Sequence, residues 1–327
     1  MDFVKMKMGK ILITGGLGFI GIHTIINIIN NYQYNNIVLL DEKINCFFKI
    51  QNEVITYPNI EYIKGSILEE KIFDNLEKDF DYIIHTAGIL GITKVAKESI
   101  LTLDVNILGT INLLNFVAKQ KNLKRFLTFS TSEIYGSIAE DLSEEMPAVI
   151  PSVGSRWCYA ASKLITEQYT KAYQREKNVP YTIIRPFNIY GPYREGSNAI
   201  STFINKALNN EKIQISGDGT QKRSWCYIDD FIDAIFKAMI APSLKNETLN
   251  IGNPDNFISI YDLAKLVLQI TRSSSEILIT ESQTEDVKSR KPNIDKAKEL
   301  LNFKPYISLE EGIKRTVDSV KFEKEIA

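Results

Sequence analysis

The length, composition and charge of the chain exclude several classes of protein. Its 327 residues exceed one usual hydrophobic core, so two domains are expected, and 44% apolar residues with a net charge of −1 suggest neither a nucleic-acid surface nor a membrane surface. Two histidines rule out a multi-histidine metal centre, and three widely spaced cysteines argue for a reducing compartment, against disulfides and against a zinc site: Cys46, Cys158 and Cys226. Without a signal-peptide pattern or an apolar stretch of about 18 residues, we expect a cytoplasmic protein.

A glycine-rich turn follows the first apolar run. Residues 10–14 read as a buried strand, and an apolar helix is predicted over 22–29. Between them lie Gly15, Gly18 and Gly21, at the spacing that allows a tight turn, close approach of the backbone to a pyrophosphate and close helix–strand packing. The helix N-terminus would then present free N–H groups to the phosphates.

The second strand supports this interpretation. It is predicted over 37–41 and ends in Asp41, 20 residues beyond Gly21, where a carboxylate binds the ribose diol of an adenosine and repels a 2′-phosphate. The alternative is an ordinary strand–helix turn with Asp41 as a strand-end cap. The combination favours a dinucleotide site, with NAD as the cofactor.

Strands and helices then alternate along the chain. Strands are predicted at 60–65, 82–85, 126–130 and 181–185, with a long helix over 100–119 and a helix around Tyr159. This order predicts an α/β fold, a Rossmann-type doubly wound parallel sheet with right-handed crossovers. After 185 the chain becomes rich in turns, with hairpin character at 217–223 and sheet-and-helix patterns at 225–239 and 248–252. Further helices are predicted at 260–271, 294–301 and 309–320.

A tyrosine and a lysine provide the candidate catalytic pair. Tyr159 and Lys163 are four residues apart, so on a helix they share one face. An ammonium group one turn away favours the phenolate and lowers the tyrosine pKa from about 10, which lets the tyrosine act as a base. Thr131, after the strand at 126–130, offers a hydroxyl to the same substrate oxygen. Taken alone, the pair is a weak signal that favours an ordinary amphipathic helix, and the glycine-rich turn at the start of the chain is what favours the catalytic interpretation.

Six motifs in order resemble the extended short-chain dehydrogenase/reductase family, whose members act on nucleotide-sugars. They cover nearly the whole chain: Thr14–Gly21, Asp41, Asn106, residues 130–133, Tyr159 with Lys163, and residues 185–192. The tail at 290–301 fits too. Two positions depart from the family pattern, because Gly65 is followed by Ser66 rather than Asp, and His85 is followed by Thr86, Ala87 and Gly88 rather than x-Ala-Ala.

The resemblance implies roles for individual residues. Tyr159 would deprotonate a sugar hydroxyl, usually at C4, as its hydride passes to NAD, while Lys163 holds the nicotinamide ribose and Thr131 bonds the reacting oxygen. The implied cofactor-binding residues, beyond Tyr159 and Lys163, are Gly15, Gly18, Phe19, Ile20, Gly21, Asp41, Ser66, Ile67, Thr86, Ala87, Gly88, Asn106, Ser130 and Pro186. The implied sugar-diphosphate residues are Asn188, Arg194 and Arg223, since guanidinium groups pair with phosphate oxygens.

The residues beside Thr131 separate the chemistries of the family. Thr131, Ser132 and Glu133 look like the UDP-glucuronate decarboxylases, and also like GDP-mannose dehydratases. The segments at 155–159, 221–229 and 290–301 look closest to the bacterial decarboxylase branch. The first expectation is therefore oxidation of UDP-glucuronate at C4 followed by loss of the C6 carboxylate. The alternatives are a 4,6-dehydratase, a C4 epimerase, a C4 oxidase that releases the 4-keto sugar, or a non-catalytic NAD-sensing protein.

Glu133 has two interpretations. In the first it has no catalytic role and is a solvent-exposed strand-end carboxylate or the partner of a nearby lysine. In the second it is the group that acts at C5 and C6 of the sugar.

Domain bounds and assembly are also predicted. We expect an NAD-binding domain over 1–185 with roughly 225–260 returning to it, and a nucleotide-sugar domain over 186–224 and roughly 261–327. A homodimer is expected through the helix at 100–119 and the Tyr159 helix, with five apolar or aromatic residues at the interface: Ile111, Leu114, Phe116, Tyr169 and Tyr173.

Overall fold

The computed structural model describes residues 6–43, 59–76, 78–137, 140–194, 198–281 and 287–326. Cys46 lies outside them. The chain divides into two compact units. Unit 1 consists of Met1–Ile134, Pro151–Arg185 and Ile235–Leu249, and unit 2 of Tyr135–Ile150, Pro186–Ala234 and Asn250–Ala327.

The described strands are β1 (Lys10–Thr14), β2 (Asn36–Asp41), β3 (Ile60–Lys64), β4 (Tyr82–His85), β5 (Arg125–Phe129), β6 (Tyr181–Pro186), β7 (Ile189–Tyr190), β8 (Ile213–Ser216), β9 (Lys222–Ser224), β10 (Cys226–Tyr227), β11 (Glu247–Ile251), β12 (Phe257–Ser259), β13 (Ile277–Thr280) and β14 (Ser289–Arg290). The described helices are α1 (Phe19–Asn31), α2 (Ile92–Lys97), α3 (Ser99–Leu103), α4 (Gly109–Val117), α5 (Trp157–Lys177), α6 (Ala199–Leu208), α7 (Ile228–Ile240), α8 (Ile260–Thr271), α9 (Asp295–Leu301) and α10 (Leu309–Ile326). A π-helical turn, Asp104–Leu108, joins α3 to α4, and a 3-10 turn, Ser132–Tyr135, follows β5.

The central sheet has seven strands in the order β11-β6-β5-β4-β1-β2-β3. The pairs from β3 to β6 are parallel, and Thr14 at the end of β1 is in register with both Leu40 and His85. Ile11, Leu12 and Ile13 are fully buried, as expected of a strand covered on both faces. The predicted doubly wound fold is confirmed, and the carboxyl ends of β1, β2, β4 and β5 lie along one edge of the sheet.

The long helix predicted at 100–119 is interrupted by the π-helical turn. Ser99–Val117 is also the one stretch of helix in the described part of the chain that is long and apolar enough to cross a membrane, with a mean hydropathy of 1.5. Half of that window is buried inside the protein, and core helices pass the same test, so this is weak support for a membrane span.

Two of the residues predicted for a dimer interface are buried inside unit 1. Leu114 is 0% exposed and Phe116 is 4% exposed, because both pack into the core beneath the sheet. Their assignment to an interface is wrong. The side chains of α4 that face away from the sheet come from other positions along the helix.

The hairpin predicted around 217–223 is also wrong. β8 and β9 flank this turn but belong to different sheets, since β8 pairs with β13 while β9 lies between β12 and β14. The glycines provide the turn, with Gly217 and Gly219 both at positive φ, but turn residues do not specify which strands pair.

The unit bounds differ from the predicted domain bounds at two places. Residues 135–150 belong to unit 2, where Tyr135 Oη donates to Asn250 Oδ1 (2.9 Å) and Asn250 Nδ2 donates to Leu142 O (2.7 Å). Of the predicted return at 225–260, only Ile235–Leu249 joins unit 1. The assignment of NAD to one domain and nucleotide-sugar to the other stays a prediction.

Candidate active site

The glycine-rich turn after β1 is tight because backbone comes close to backbone. Gly15 has φ +70°, and a Cβ there would lie 2.5 Å from the backbone nitrogen of Ala87. A Cβ on Gly21 would lie 2.5 Å from Gly15 O, so α1 begins directly against the turn. Thr86 Oγ1 donates to Thr14 O (2.9 Å) and Gly15 O (2.8 Å), which fastens the loop after β4 to the turn. The predicted glycines thus have steric reasons to be glycine.

The first turn of α1 is open to an anion. Its N-cap is Gly18, which has no side chain to bond the first N–H groups, and the first turn (Phe19, Ile20, Gly21) has no acidic residue. Asp41, at the end of β2, accepts from Leu17 N (3.0 Å) through Oδ2 and from Lys43 N (3.0 Å) through Oδ1. The free N–H groups of the helix start can donate to a pyrophosphate, and the carboxylate beside them can accept from a ribose diol, so these residues fit NAD.

The loop after β3 is held by a residue that sequence reasoning missed. Asn112 Nδ2 on α4 donates to Ile67 O and to Leu68 O, both at 3.2 Å. Ser66 Oγ accepts from Leu68 N (3.3 Å), and the Ile67 side chain is 5% exposed and packs on Gly109. The Ile67 side chain is therefore packed inside the protein, and its role in binding the cofactor stays a prediction.

Asn106 joins the loop after β4 to the helix of the predicted catalytic pair. Its Oδ1 accepts from Ile89 N (2.8 Å), and its Nδ2 donates to Ile89 O (3.2 Å) and Ser162 Oγ (3.0 Å). Ser162 Oγ in turn donates to Tyr159 O (2.7 Å). Asn106 is 1% exposed. Its amide is thus engaged with protein groups, although the sequence predicted it as a cofactor ligand.

Lys163 lies beside the same loop. A Cβ on Gly88 would be in ordinary contact with Lys163 Nζ at 3.6 Å and in tight contact with Asn106 Oδ1 at 3.0 Å, so glycine leaves the most space here. Lys163 is 8% exposed, and burial lowers its pKa to about 8 even though the charge of Glu167 acts to raise it. Tyr159, one turn earlier on α5, is half-buried.

His85, at the end of β4, is a buried histidine whose ring lies within the electrostatic influence of Lys163. Burial, and then the charge of Lys163, lower the pKa of His85 to about 3, so the ring is neutral. Its nitrogens lie 2.7 Å from Thr14 Oγ1 and 2.9 Å from Thr110 Oγ1.

A buried ion pair lies one turn beyond Lys163. Arg185 Nε and Nη2 donate to the two carboxylate oxygens of Glu167 at 2.9 and 2.8 Å, and Glu167 is 1% exposed. Burial alone would raise the Glu167 pKa, but the hydrogen bonds and charge of Arg185 outweigh it and hold that pKa below its usual value. Sequence reasoning did not single out Glu167. The four-residue spacing of Tyr159, Lys163 and Glu167 was the available signal.

The segment after β5 carries the other predicted catalytic residues. Ser130, Thr131 and Ser132 are buried, and Glu133 N donates to Thr131 Oγ1 (3.2 Å). The Glu133 carboxylate accepts from Arg156 Nη2 at 3.1 Å, with 30% of the Glu133 side chain exposed. Its partner is therefore an arginine near the start of α5 rather than the lysine considered from the sequence.

In unit 2, the predicted phosphate ligands lie in the segments after β6. Pro186 ends β6, and Asn188, at φ +42°, donates through Nδ2 to Ser224 O (3.1 Å). The neighbouring Arg223 is in register with Arg290 on the parallel strand β14. Arg194 is half-buried.

Arg290 is the second arginine of this group. It is 2% exposed and donates to Gly136 O (2.7 Å). Arg290 begins the tail motif at 290–301, and the resemblance implied no role for it. In the described ranges, no three Asp, Glu, His or Cys side chains cluster as a metal site.

Comparison with known proteins identifies the family. Residues 11–252 match the model of the NAD dependent epimerase/dehydratase family. The chain belongs to this family. The predicted resemblance is thereby confirmed, and so is NAD as the cofactor of the family.

Two curated members of the family are similar over nearly the whole chain. UDP-glucuronic acid decarboxylase 3 of Arabidopsis thaliana is 32% identical over 93% of this chain and 86% of its own length. UDP-N-acetyl-alpha-D-glucosaminuronate decarboxylase of Bacillus cytotoxicus is 33% identical over 94% of this chain and 96% of its own.

Among solved structures, UDP-glucuronic acid 4-epimerase of Bacillus cereus, in complex with UDP-glucuronic acid and NAD, is 28% identical. It superposes with a TM-score of 0.85 over 96% of this chain and 99% of its own. Family members with one fold thus carry different reaction names.

The burial of Lys163 predicts a stability effect in this family member. Lys163→Met should make the cofactor-free protein more stable than the native protein near neutral pH, by up to about 3 kcal/mol. The lysine pKa is about 8 in the folded state instead of 10.5, so the folded state binds the proton more weakly than the unfolded state does. This difference destabilises the native protein wherever the lysine is charged, and methionine removes it. The unfolded state holds more protons between these pH values, so native stability rises with pH from about 8 to 10.5 and the advantage of the variant shrinks there. Urea unfolding at several pH values measures this.

The matched control is Lys177→Met at the exposed end of the same helix, which should change stability little. A Lys163→Met protein that is less stable than native near neutral pH would contradict the dominance of burial.

Proposed function

We propose that the protein oxidises a UDP-linked uronic acid at C4 and releases its C6 carboxylate as carbon dioxide. The observation that carries this proposal is the Glu133 carboxylate, two residues after Thr131 and paired with Arg156 at 3.1 Å. Two relatives at 32% and 33% identity over more than nine-tenths of the chain are UDP-uronate decarboxylases, which supports it.

The chain's own residues provide the proton transfers. When bound, NAD supplies the oxidising power by taking up the hydrogen of C4 with its electron pair and later giving it back. Tyr159 takes the proton of the C4 hydroxyl, Lys163 favours its phenolate, and Thr131 bonds the reacting oxygen. Lys163 is ammonium below its pKa of about 8, so the phenolate has its cationic neighbour at neutral pH.

Oxidation at C4 prepares the loss of carbon dioxide. The product is a β-keto acid, in which the C5–C6 bond breaks and its electron pair enters the C4 carbonyl. C5 then takes one proton, and the C4 ketone is reduced again. Glu133 orients the sugar, or the water that protonates C5, during this second half-reaction through the hydrogen bonds that its carboxylate accepts.

Specificity elements are proposed on both units. Asp41 selects NAD over NADP by bonding the ribose diol and repelling a phosphate. In unit 2, Asn188, Arg194 and Arg223 bind the sugar diphosphate, and the register of Arg223 with Arg290 adds a second guanidinium group on an adjacent strand.

The setting and the alternatives are proposals as well. We expect the enzyme to act in the cytoplasm without membrane or nucleic-acid partners, because its positive and negative charges nearly balance. A C4 epimerase is the second candidate, because the superposed Bacillus cereus structure is a UDP-glucuronic acid 4-epimerase. The N-acetylated uronate is the second candidate sugar.

Product analysis tests the reaction class. Incubation with a panel of UDP-, GDP- and dTDP-sugars followed by mass spectrometry should show loss of carbon dioxide from UDP-glucuronate or its N-acetylated analogue. Loss of water would instead show a dehydratase, an unchanged mass with altered stereochemistry an epimerase, and loss of two hydrogens an oxidase. No change with any sugar would favour the non-catalytic alternative.

Two substitutions separate the half-reactions. Glu133→Gln should slow carbon dioxide release roughly 10²–10⁴-fold while leaving the first appearance of NADH absorbance largely intact, since positioned acid–base groups contribute about that factor. Tyr159→Phe should abolish the oxidation itself. Stopped-flow absorbance and product assays on the same samples measure both, and a fully active Glu133→Gln protein would return Glu133 to the role of a surface residue.

We propose a homodimer with a corrected interface. Exposed apolar side chains lie on α3, the π-helical turn and α5, which pack together in unit 1: Ile100, Leu101, Leu108, Ile165 and Tyr169 are 78%, 43%, 50%, 39% and 39% exposed. Such a patch on helices is suited to a two-fold interface.

Charges placed in this patch should dissociate the dimer. The double variant Leu108→Glu and Ile165→Glu should sediment near the 37.2 kDa of one chain, while the native protein sediments near twice that mass. Phe322→Glu, at a 61% exposed position of α10, is the control and should leave the mass unchanged. A native protein that sediments as one chain at micromolar concentration would contradict the proposal.

A further inference from the structure

The cation of the ion pair between Arg156 and Glu133 is less exposed than the cations of the surface pairs Lys94–Glu98 and Lys124–Asp81. The Arg156 side chain is 10% exposed and its Nη2 lies 3.1 Å from Glu133 Oε2. By comparison, Lys94 and Glu98 lie 4.0 Å apart and are 53% and 46% exposed. Exposed pairs contribute little because solvent screens them and both side chains must be ordered. A largely buried guanidinium group is screened less by solvent, so its attraction to the partner carboxylate is stronger.

A second contact orders the arginine. The Arg156 guanidinium lies 4.9 Å from the centre of the Trp157 ring, over its face. Arg156 is also the N-cap residue of α5, in helical conformation at φ −61° and ψ −28°. The backbone and the guanidinium group of Arg156 are therefore both held in place. Forming the ion pair with Glu133 then costs less side-chain conformational entropy than forming one with a mobile lysine would.

The pair connects the two groups of predicted catalytic residues. Glu133 lies in the 3-10 turn after β5, where its backbone N–H is bonded to Thr131 Oγ1. Arg156 lies three residues before Tyr159 on α5, so their side chains leave the helix on neighbouring positions of one face. An ion pair at this place sets the position of Glu133 relative to the helix that carries Tyr159.

We propose that Arg156 is a positioning residue that holds the Glu133 carboxylate in place as an oriented hydrogen-bond acceptor for the second half-reaction. This inference rests on the proposed function, because it assigns Glu133 a task after C4 oxidation. An ionised carboxylate accepts hydrogen bonds from sugar hydroxyls, whereas a protonated or rotated one presents a donor or points away. Small displacements of a reacting group cost large factors in rate, so an arginine that never touches the sugar still affects turnover.

Substitution of Arg156 should affect one half-reaction. Arg156→Gln should leave the rate of NADH formation on mixing with UDP-glucuronate within about threefold of native. The following release of carbon dioxide and loss of NADH absorbance should slow about 10- to 100-fold, so that NADH accumulates during turnover. Arg156→Lys keeps the charge but not the planar fork, and should recover part of that rate. Arg175→Gln, the same change at an exposed position near the other end of α5, is the control.

The double variant separates positioning from other roles. If Arg156 acts through Glu133, then adding Arg156→Gln to Glu133→Gln should change the second half-reaction by less than about threefold. A crystal structure of Arg156→Gln without sugar should show the Glu133 carboxylate displaced while α5 is unchanged, which is a readout independent of turnover.

Each contrary result has a distinct meaning. Additive losses in the double variant, or a raised KM with slowed NADH formation in Arg156→Gln, would show that Arg156 binds the sugar itself and would overturn the inference. An unmoved Glu133 in the variant crystal would overturn it as well. If the native protein oxidises sugars without releasing carbon dioxide, the proposed function fails. The role of Arg156 is then still tested by comparing the rate of NADH loss in Arg156→Gln with that in the native protein. If it oxidises no sugar, both fail.

Discussion

A buried ammonium group determines much of the arrangement in unit 1. Lys163 is 8% exposed, and a lone charge at such depth costs several kcal/mol. Glu167, one turn further along α5, provides the opposite charge, and Arg185 on β6 fixes that carboxylate with two hydrogen bonds. Lys171 lies 3.6 Å from the same carboxylate, so the group holds three cations for one anion. A surplus of positive charge favours a phenolate at Tyr159 one turn away, so the cost to stability and the proposed use in catalysis have the same origin.

The space beside this ammonium group is kept open by a second set of contacts. Asn106 bonds both backbone groups of Ile89 and reaches Ser162 on α5, so the loop after β4 and the helix that carries Tyr159 are held at one separation. The π-helical turn that carries Asn106 adds a residue to the helical repeat, as such turns often do near functional sites. Gly88 completes the arrangement, because any side chain there would meet Asn106 and Lys163.

The sequence predicted what is encoded locally and missed what depends on partners distant in the chain. Parallel strands buried on both faces are continuous apolar runs, so β1, β2 and β4 were placed within a residue or two. Glu167 was missed because a carboxylate on a helix face looks solvated until Arg185, 18 residues later, is known to approach it. The hairpin at 217–223 failed for a related reason, since glycines specify a turn but not the strands that pair. Leu114 and Phe116 were misassigned because the sequence does not show which face of α4 meets the sheet.

Family members with different reaction names share this scaffold because oxidation at C4 does most of the activation. A C4 ketone makes the C5 proton acidic and the C6 carboxylate labile, so the protein decides the outcome through the few groups it holds near C5 and C6. Here the candidate group is Glu133, which lies on a short 3-10 turn beyond β5 rather than within the strand. A substitution on that turn, or at Arg156 before the catalytic helix, leaves the buried strands unchanged. Reaction type therefore diverges more readily than fold, which is consistent with a TM-score of 0.85 to an epimerase at 28% identity.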